Sequence, residues 1–357
     1  ADSEPMSEAT PASTNDLHSV RQTLRARESL LSPLAAHESN SRGRERPEPE
    51  QLLRLAYQLD RDRIIHTPAF RRLKHKTQVF VTPDSDHVVT RMTHTIEVQQ
   101  IARTIARALA LNEDLTEAIA LGHDLGHTPF GHAGEEELAR LLPEGFRHNE
   151  QSLRIVEHLE NGGAGLNLMF ETRDGILRHS KGRASVTSDE GWGSPATLEG
   201  EIVKLSDSIA YLNHDIQDAT RADLIAERDL PAAARAALGE DHAARIDTLV
   251  TDCVRSSLAT FEGERPSIVL SPDTLEATDQ LRDFMFERVY HHESTLEGAE
   301  RGQRVVRALF EHYQTHLDDI AGWSLPDDPP WRRAADYVSG MTDHYAQRRA
   351  EELHLLD

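Results

Sequence analysis

The sequence has 357 residues, enough for one large domain or two with a sizeable buried core. It carries 61 acidic against 39 basic residues, a net charge of −22. Strong nucleic-acid binding is therefore not expected, and any polyanionic substrate must be met by a local basic patch. The single cysteine, Cys253, excludes an internal disulfide and fits a reducing, cytoplasmic setting; no apolar run reaches membrane-spanning length and no signal-peptide pattern is visible, so no membrane partner is expected.

Residues 1–16 are rich in Ser, Thr, Glu, Ala and Pro without periodicity, which predicts a disordered arm. Helical spacing dominates the rest, so the expected fold is all-α. A short helix is predicted over residues 17–34, a loop over 35–50 and a helix over 52–73. That helix ends in a basic run of Arg61, Arg63, Arg71, Arg72, Lys74 and Lys76. On charge alone the run suits phosphate or a solvated face paired with carboxylates equally well. Residues 77–82 read as a short strand or turn.

Thr93 is expected to cap the next helix, with His94, Val98, Ile101 and Ile105 on one inward stripe and Arg91 one turn earlier on the same side. A lone histidine in that position is more often a hydrogen-bonded core residue than a ligand. Residues 115–125 form another apolar helix and run into Leu121-Gly-His-Asp-Leu-Gly-His-Thr-Pro-Phe-Gly-His-Ala-Gly-Glu135. This stretch holds His123, Asp124, His127, His132 and Glu135 among small residues that permit close approach of backbone and substrate. Clustered nitrogen and oxygen ligands of this kind are what a metal site requires. His132 and Glu135 are three apart on a restarted helix, so the carboxylate can orient the imidazole. His148 opens the following helix. Arg178-His-Ser-Lys181-Gly-Arg183 is a second basic knot. On the helix predicted over residues 198–219, Asp207, Tyr211 and Asp215 recur every four residues on a face apart from the apolar stripe. The remainder is amphipathic and helical, with proline-rich breaks at 266–272 and 326–330.

A His, then an adjacent His-Asp pair, then a distant Asp, all on helices, resembles the HD superfamily of metal-dependent phosphohydrolases. Phe70-Arg-Arg-Leu-Lys-His-Lys-Thr-Gln-Val-Phe80, Arg91-Met-Thr-His-Thr-Ile-Glu-Val98, the 121–135 stretch and Asp207-Ser-Ile-Ala-Tyr-Leu-Asn-His-Asp215 are together similar to the bacterial dGTPase-like deoxynucleoside triphosphate (dNTP) triphosphohydrolases. The SAM-and-HD-domain dNTPases are more distant relatives. The resemblance spans about residues 20–345.

It implies an HD-domain helical bundle over residues 17–225, completed by a C-terminal helical region over 226–357. It implies His94, His123, Asp124 and Asp207 as metal ligands, and His132 with Glu135 as a catalytic dyad, with His127 and His148 lining the same cavity. Arg91 would meet the α-phosphate, Gln78 and Val79 the sugar region, and Tyr211 and Asp215 the deoxyribose, the Asp at its 3′-OH. The vertebrate relatives carry Lys after the last ligand Asp, where this chain has Ser208. Arg178, Lys181 and Arg183 are then candidates for the triphosphate. The implied reaction is attack of metal-activated water at the α-phosphate, giving a deoxynucleoside and intact triphosphate. Mn is the expected metal, with Fe, Co, Ni or Zn as alternatives and Mg on the triphosphate. An allosteric dNTP and a homo-oligomer are further expectations. The alternatives are an HD phosphohydrolase acting on a nucleoside monophosphate or a guanosine alarmone, and a silent nucleotide-sensing module.

Overall fold

The computed structural model describes residues 14–78, 89–180, 193–320 and 322–356. Among them the chain is all-α, with no strand and only two isolated bridges, Arg44 to Met169 and Thr77 to Thr90. Thr77 thus makes a single bridge at the start of the segment 77–82, expected to be a strand or turn; Val79 onward, like Lys181 and Arg183, lies outside the described residues.

The core is built where the sequence shows its strongest periodicity. Helices α4 (Arg91–Ala108), α5 (Glu113–Gly122) and α9 (Leu198–Arg221) pack on one another. Val98, Ile101 and Ile105 of α4, Leu115 and Ile119 of α5, and Ile202, Ile209, Leu212 and Ile216 of α9 are buried together. Helix α5 is buried nearly all round, as a helix at the centre of a bundle must be. Helices α2 (Ala56–Ile65) and α8 (Phe170–Arg178) pack on this trio, with α3 (Pro68–Arg72) against α2 and α7 (His148–Arg154) against α8; α1 (Thr14–Glu28) and α6 (Gly131–Leu141) are the other helices of this half of the chain. Helices α10 (Ala232–Leu238), α11 (His242–Phe261) and α12 (Pro272–Met285) extend the α9 side. Helix α13 (Glu293–Thr315) lies on α6, and α14 (Pro330–Ser339) and α15 (Asp343–Glu352) pack on α13. A second apolar cluster, with Leu138, Phe146, Val306, Leu309, Phe310 and Val338, joins these last helices to α6.

Three local expectations change. Helix α4 starts three residues earlier than predicted, because the Thr90 hydroxyl accepts from Thr93 N and the cap is Thr90, not Thr93. The helix predicted over 52–73 is broken at His66: Thr67 caps a new short helix with Pro68 at its first position, where a missing N–H costs nothing. The basic run that follows is largely consumed by structure. Arg61 pairs with Asp62 and Glu117, Arg63 with Glu48, and Arg72 donates to Gly340 O and lies over the Trp323 ring. Lys76 turns inward, 2% exposed, and donates to the carbonyls of His127 and Ser339. Burial pulls its ammonium down to about 7, so this lysine serves as a pin for the His127 loop.

That loop is held by close backbone contact. Gly126 N donates to Ser152 Oγ, which in turn donates to His123 O. A Cβ at Gly126 would lie 2.2 Å from Ser152 N and 2.3 Å from His148 O, both backbone atoms of α7. Gly126→Ala is therefore expected to destabilise the protein by about 2 kcal/mol or more. A thermal melt would show a midpoint lowered by several degrees, and an unchanged midpoint would contradict this packing.

Candidate active site

The end of α5, the loop after it, the start of α4 and the middle of α9 bring His94, His123, Asp124 and Asp207 together. His94 Nε2 lies 3.2 Å from Asp207 Oδ1 and 3.9 Å from Asp124 Oδ2. His123 Nε2 lies 3.3 Å from Asp124 Oδ1 and 4.0 Å from Asp207 Oδ1. His94, His123 and Asp124 are buried, whereas the Asp207 side chain is 23% exposed and so marks the open side. Neighbours in sequence, His123 and Asp124 reach one point because α5 ends at Gly122 and the chain turns.

The residues fit a divalent cation. His123 Nδ1 donates to Ala120 O at 2.7 Å, which leaves Nε2 with a lone pair, and that buried Nε2 has no hydrogen-bond partner among the described residues. A buried, unpartnered imidazole nitrogen facing two carboxylates is costly unless a cation completes it. His94, His123 and Asp124 each offer an atom within 4.8 Å of the others. Burial lowers the His94 pKa and favours the neutral ring a metal needs. Burial works to raise the Asp124 pKa, but His123, His127 and Arg91 hold it well below the usual carboxylate range.

A second group surrounds Glu135. Its carboxylate accepts from His148 Nδ1 at 2.9 Å and from His148 N at 2.8 Å, while His132 Nδ1 stands 3.6 Å away. Glu135 thus faces two histidines, and His148 is the nearer one. Burial acts to raise its pKa, but His148 and the contact with His132 hold the carboxyl well below its ordinary value. The His132 side chain is 56% exposed, at the mouth of the site. His127 stacks on His148, with ring centroids 4.0 Å apart, and places Nε2 3.2 Å from Asp124 Oδ1.

The residues expected to meet the substrate are only partly gathered. Arg91 is buried and pairs with Asp124 Oδ2 at 2.8 Å. Gln78 is buried beside it, with its side-chain Oε1 unpartnered among the described residues. Tyr211 stacks on Tyr290, centroids 6.0 Å apart. Asp215 is 1% exposed, and its Oδ2 accepts from the Tyr290 hydroxyl at 2.7 Å. Arg178 pairs with Asp174 on its own helix at 2.8 Å.

Three residues here had no assigned role in the sequence. His179 is buried, donates Nδ1–H to Ile176 O, and sets Nε2 3.2 Å from His148 Nε2; its ring meets His123 edge-on at 4.9 Å. Burial, with His123 and His148 nearby, pulls its pKa down to about 3. His214 lies behind His94, and Tyr290 reaches in from beyond α12. His214 could have been noticed as a buried-helix neighbour of Asp215, seven residues past Asp207; His179 and Tyr290 carry no comparable signal.

Two buried histidines and a buried aspartate, with a partly exposed second aspartate, on the inner helices of an all-α bundle define a phosphohydrolase of the HD class. Residues 91–212 match the HD domain, and residues 268–352 match the phosphohydrolase-associated domain. A deoxyguanosinetriphosphate triphosphohydrolase-like protein of Caldanaerobacter subterraneus is 52% identical over 329 residues, covering 91% of this chain and 93% of that protein. A protein of the same description from Desulfatibacillum aliphaticivorans is 41% identical, covering 94% and 97%. One from Clostridium perfringens is 43% identical, covering 91% and 94%. The chain belongs to this HD-domain family of deoxyguanosinetriphosphate triphosphohydrolase-like proteins. No helix among the described residues is long and apolar enough to cross a membrane.

Proposed function

We propose that the protein hydrolyses deoxynucleoside triphosphates to a deoxynucleoside and inorganic triphosphate. The observation that carries this reading is the unpartnered His123 Nε2 within the His94, His123, Asp124 and Asp207 cluster, set beside the Glu135 histidines. The substrate class follows the names of the relatives. His94, His123, Asp124 and Asp207 would hold the cation, which we take to be Mn, with Fe, Co, Ni or Zn as alternatives. When bound, it supplies Lewis acidity and lowers the pKa of a coordinated water toward neutrality.

The chain's own residues supply the rest. Arg91, held by Asp124, would neutralise charge developing at the α-phosphate. His132, exposed at the mouth and backed by Glu135, would move the proton between nucleophile and leaving 5′-oxygen, with His148 fixing the carboxylate from the other side. Tyr211 and Tyr290 form an aromatic wall against which a deoxyribose would pack. Asp215 would accept the 3′-OH, about two helical turns beyond Asp207 along α9.

A substrate panel tests the reading. All dNTPs and NTPs are offered with each candidate metal, and turnover of a dNTP well above its ribonucleotide is expected; hydrolysis confined to monophosphates or to a guanosine alarmone would contradict it. Sugar recognition gives a sharper result. Dideoxynucleoside triphosphates are expected to be poor substrates, because a buried carboxylate left without its hydroxyl partner is penalised far more than a lost methylene contact. Asp215→Ala should narrow the gap in kcat/KM between a dNTP and its dideoxy analogue. The ratio is taken within each protein, so a general loss of activity cancels; an unchanged ratio would place Asp215 away from the sugar.

A further inference from the structure

His94 receives its orientation differently from His123. His123 Nδ1 rests on a backbone carbonyl, Ala120 O. His94 Nδ1 lies 2.9 Å from a second side chain, Nε2 of His214, with the rings edge to face at 83°. His214 is fully buried on α9. Its own Nδ1 lies 2.9 Å from Asp215 Oδ1, close but not aligned as a regular hydrogen bond. The other oxygen of Asp215 accepts from Tyr290. A continuous polar chain therefore runs Tyr290, Asp215, His214, His94 inside the bundle.

The proton count along this chain has one consistent solution. His94 Nε2 faces Asp207 and Asp124. If Nε2 is to give a cation its lone pair, the His94 proton must sit on Nδ1 and point at His214 Nε2, which must then accept. That places the His214 proton on Nδ1, facing the Asp215 carboxylate. A carboxylate behind a ligating histidine fixes its tautomer and raises its basicity; here a second imidazole stands between them. We propose that His214, backed by Asp215, is a positioning residue that holds His94 in the metal-binding tautomer and so sets the affinity of the site for its cation.

This inference rests on His94 being a metal ligand, and the experiment separates the two. Metal-free protein is titrated with Zn(II) against a chromophoric chelator. His214→Leu removes the acceptor at similar volume and should bind Zn(II) roughly 10–100-fold more weakly. His214→Gln, whose amide oxygen can take the place of Nε2, should recover most of the affinity, which a merely space-filling role would not predict. His94→Ala is the control. Wild-type affinity in His94→Ala would remove the ligand assignment itself. A loss there, with wild-type affinity in His214→Leu, would overturn only the role of His214. Should His214→Leu fail to fold, ¹⁵N shifts of the histidine rings in the Zn(II)-loaded wild type decide the matter: protons on Nδ1 of both His94 and His214 are expected, and a proton on Nε2 of His94 would overturn the proposal.

Discussion

His123→Ala and Asp207→Ala are expected to fold, to lose bound metal and to lose at least roughly a thousandfold in kcat, about 4 kcal/mol of barrier. Each removes one of four expected ligands, so three remain. Asp124→Ala is less suitable, because it would leave the buried Arg91 guanidinium without its carboxylate. Elemental analysis beside an activity assay checks the result. Full metal occupancy in both variants would remove these residues from the metal site.

His132→Ala is expected to keep its metal and bind dNTP, yet turn over at least about a hundredfold more slowly, the usual scale for a lost acid–base group. Glu135→Gln should be impaired in the same direction. Its carboxylate faces both His132 and His148, so the effect extends to the orientation of His148. The double variant should be little worse than His132→Ala, because groups acting as a unit do not contribute independently. Multiplicative losses would show that His132 and Glu135 work apart, and would leave His148 as the partner of the carboxylate.

The parts of the site that are legible in the sequence are local. Residues 121–135 place His123, Asp124, His127, His132 and Glu135 directly behind an apolar helical run, and the glycines between them announce close approach of the backbone to its neighbours. The stripe through His94, Val98, Ile101 and Ile105 gives the inward face of α4 from spacing alone. Asp207, Tyr211 and Asp215 define a polar line on α9 in the same way. What is illegible is tertiary. Glu135 meets His148 across a loop, and periodicity cannot choose between that histidine and His132. His94 and His214 are 120 residues apart and touch only because α4 and α9 pack together. The basic run after residue 60 has the composition of a phosphate site, but its arginines meet Asp62, Glu117 and Glu48, and Lys76 is drawn beneath the His127 loop. Local charge states what a segment can bind; the fold decides whether that charge is already spent.

The most direct measurement is hydrolysis of a dNTP in H₂¹⁸O with separation of the products. Water attack at the α-phosphorus with departure of the 5′-oxygen predicts an unlabelled deoxynucleoside and an intact triphosphate that carries the ¹⁸O. Deoxynucleoside monophosphate with pyrophosphate, or label in the nucleoside, would contradict the proposed reaction.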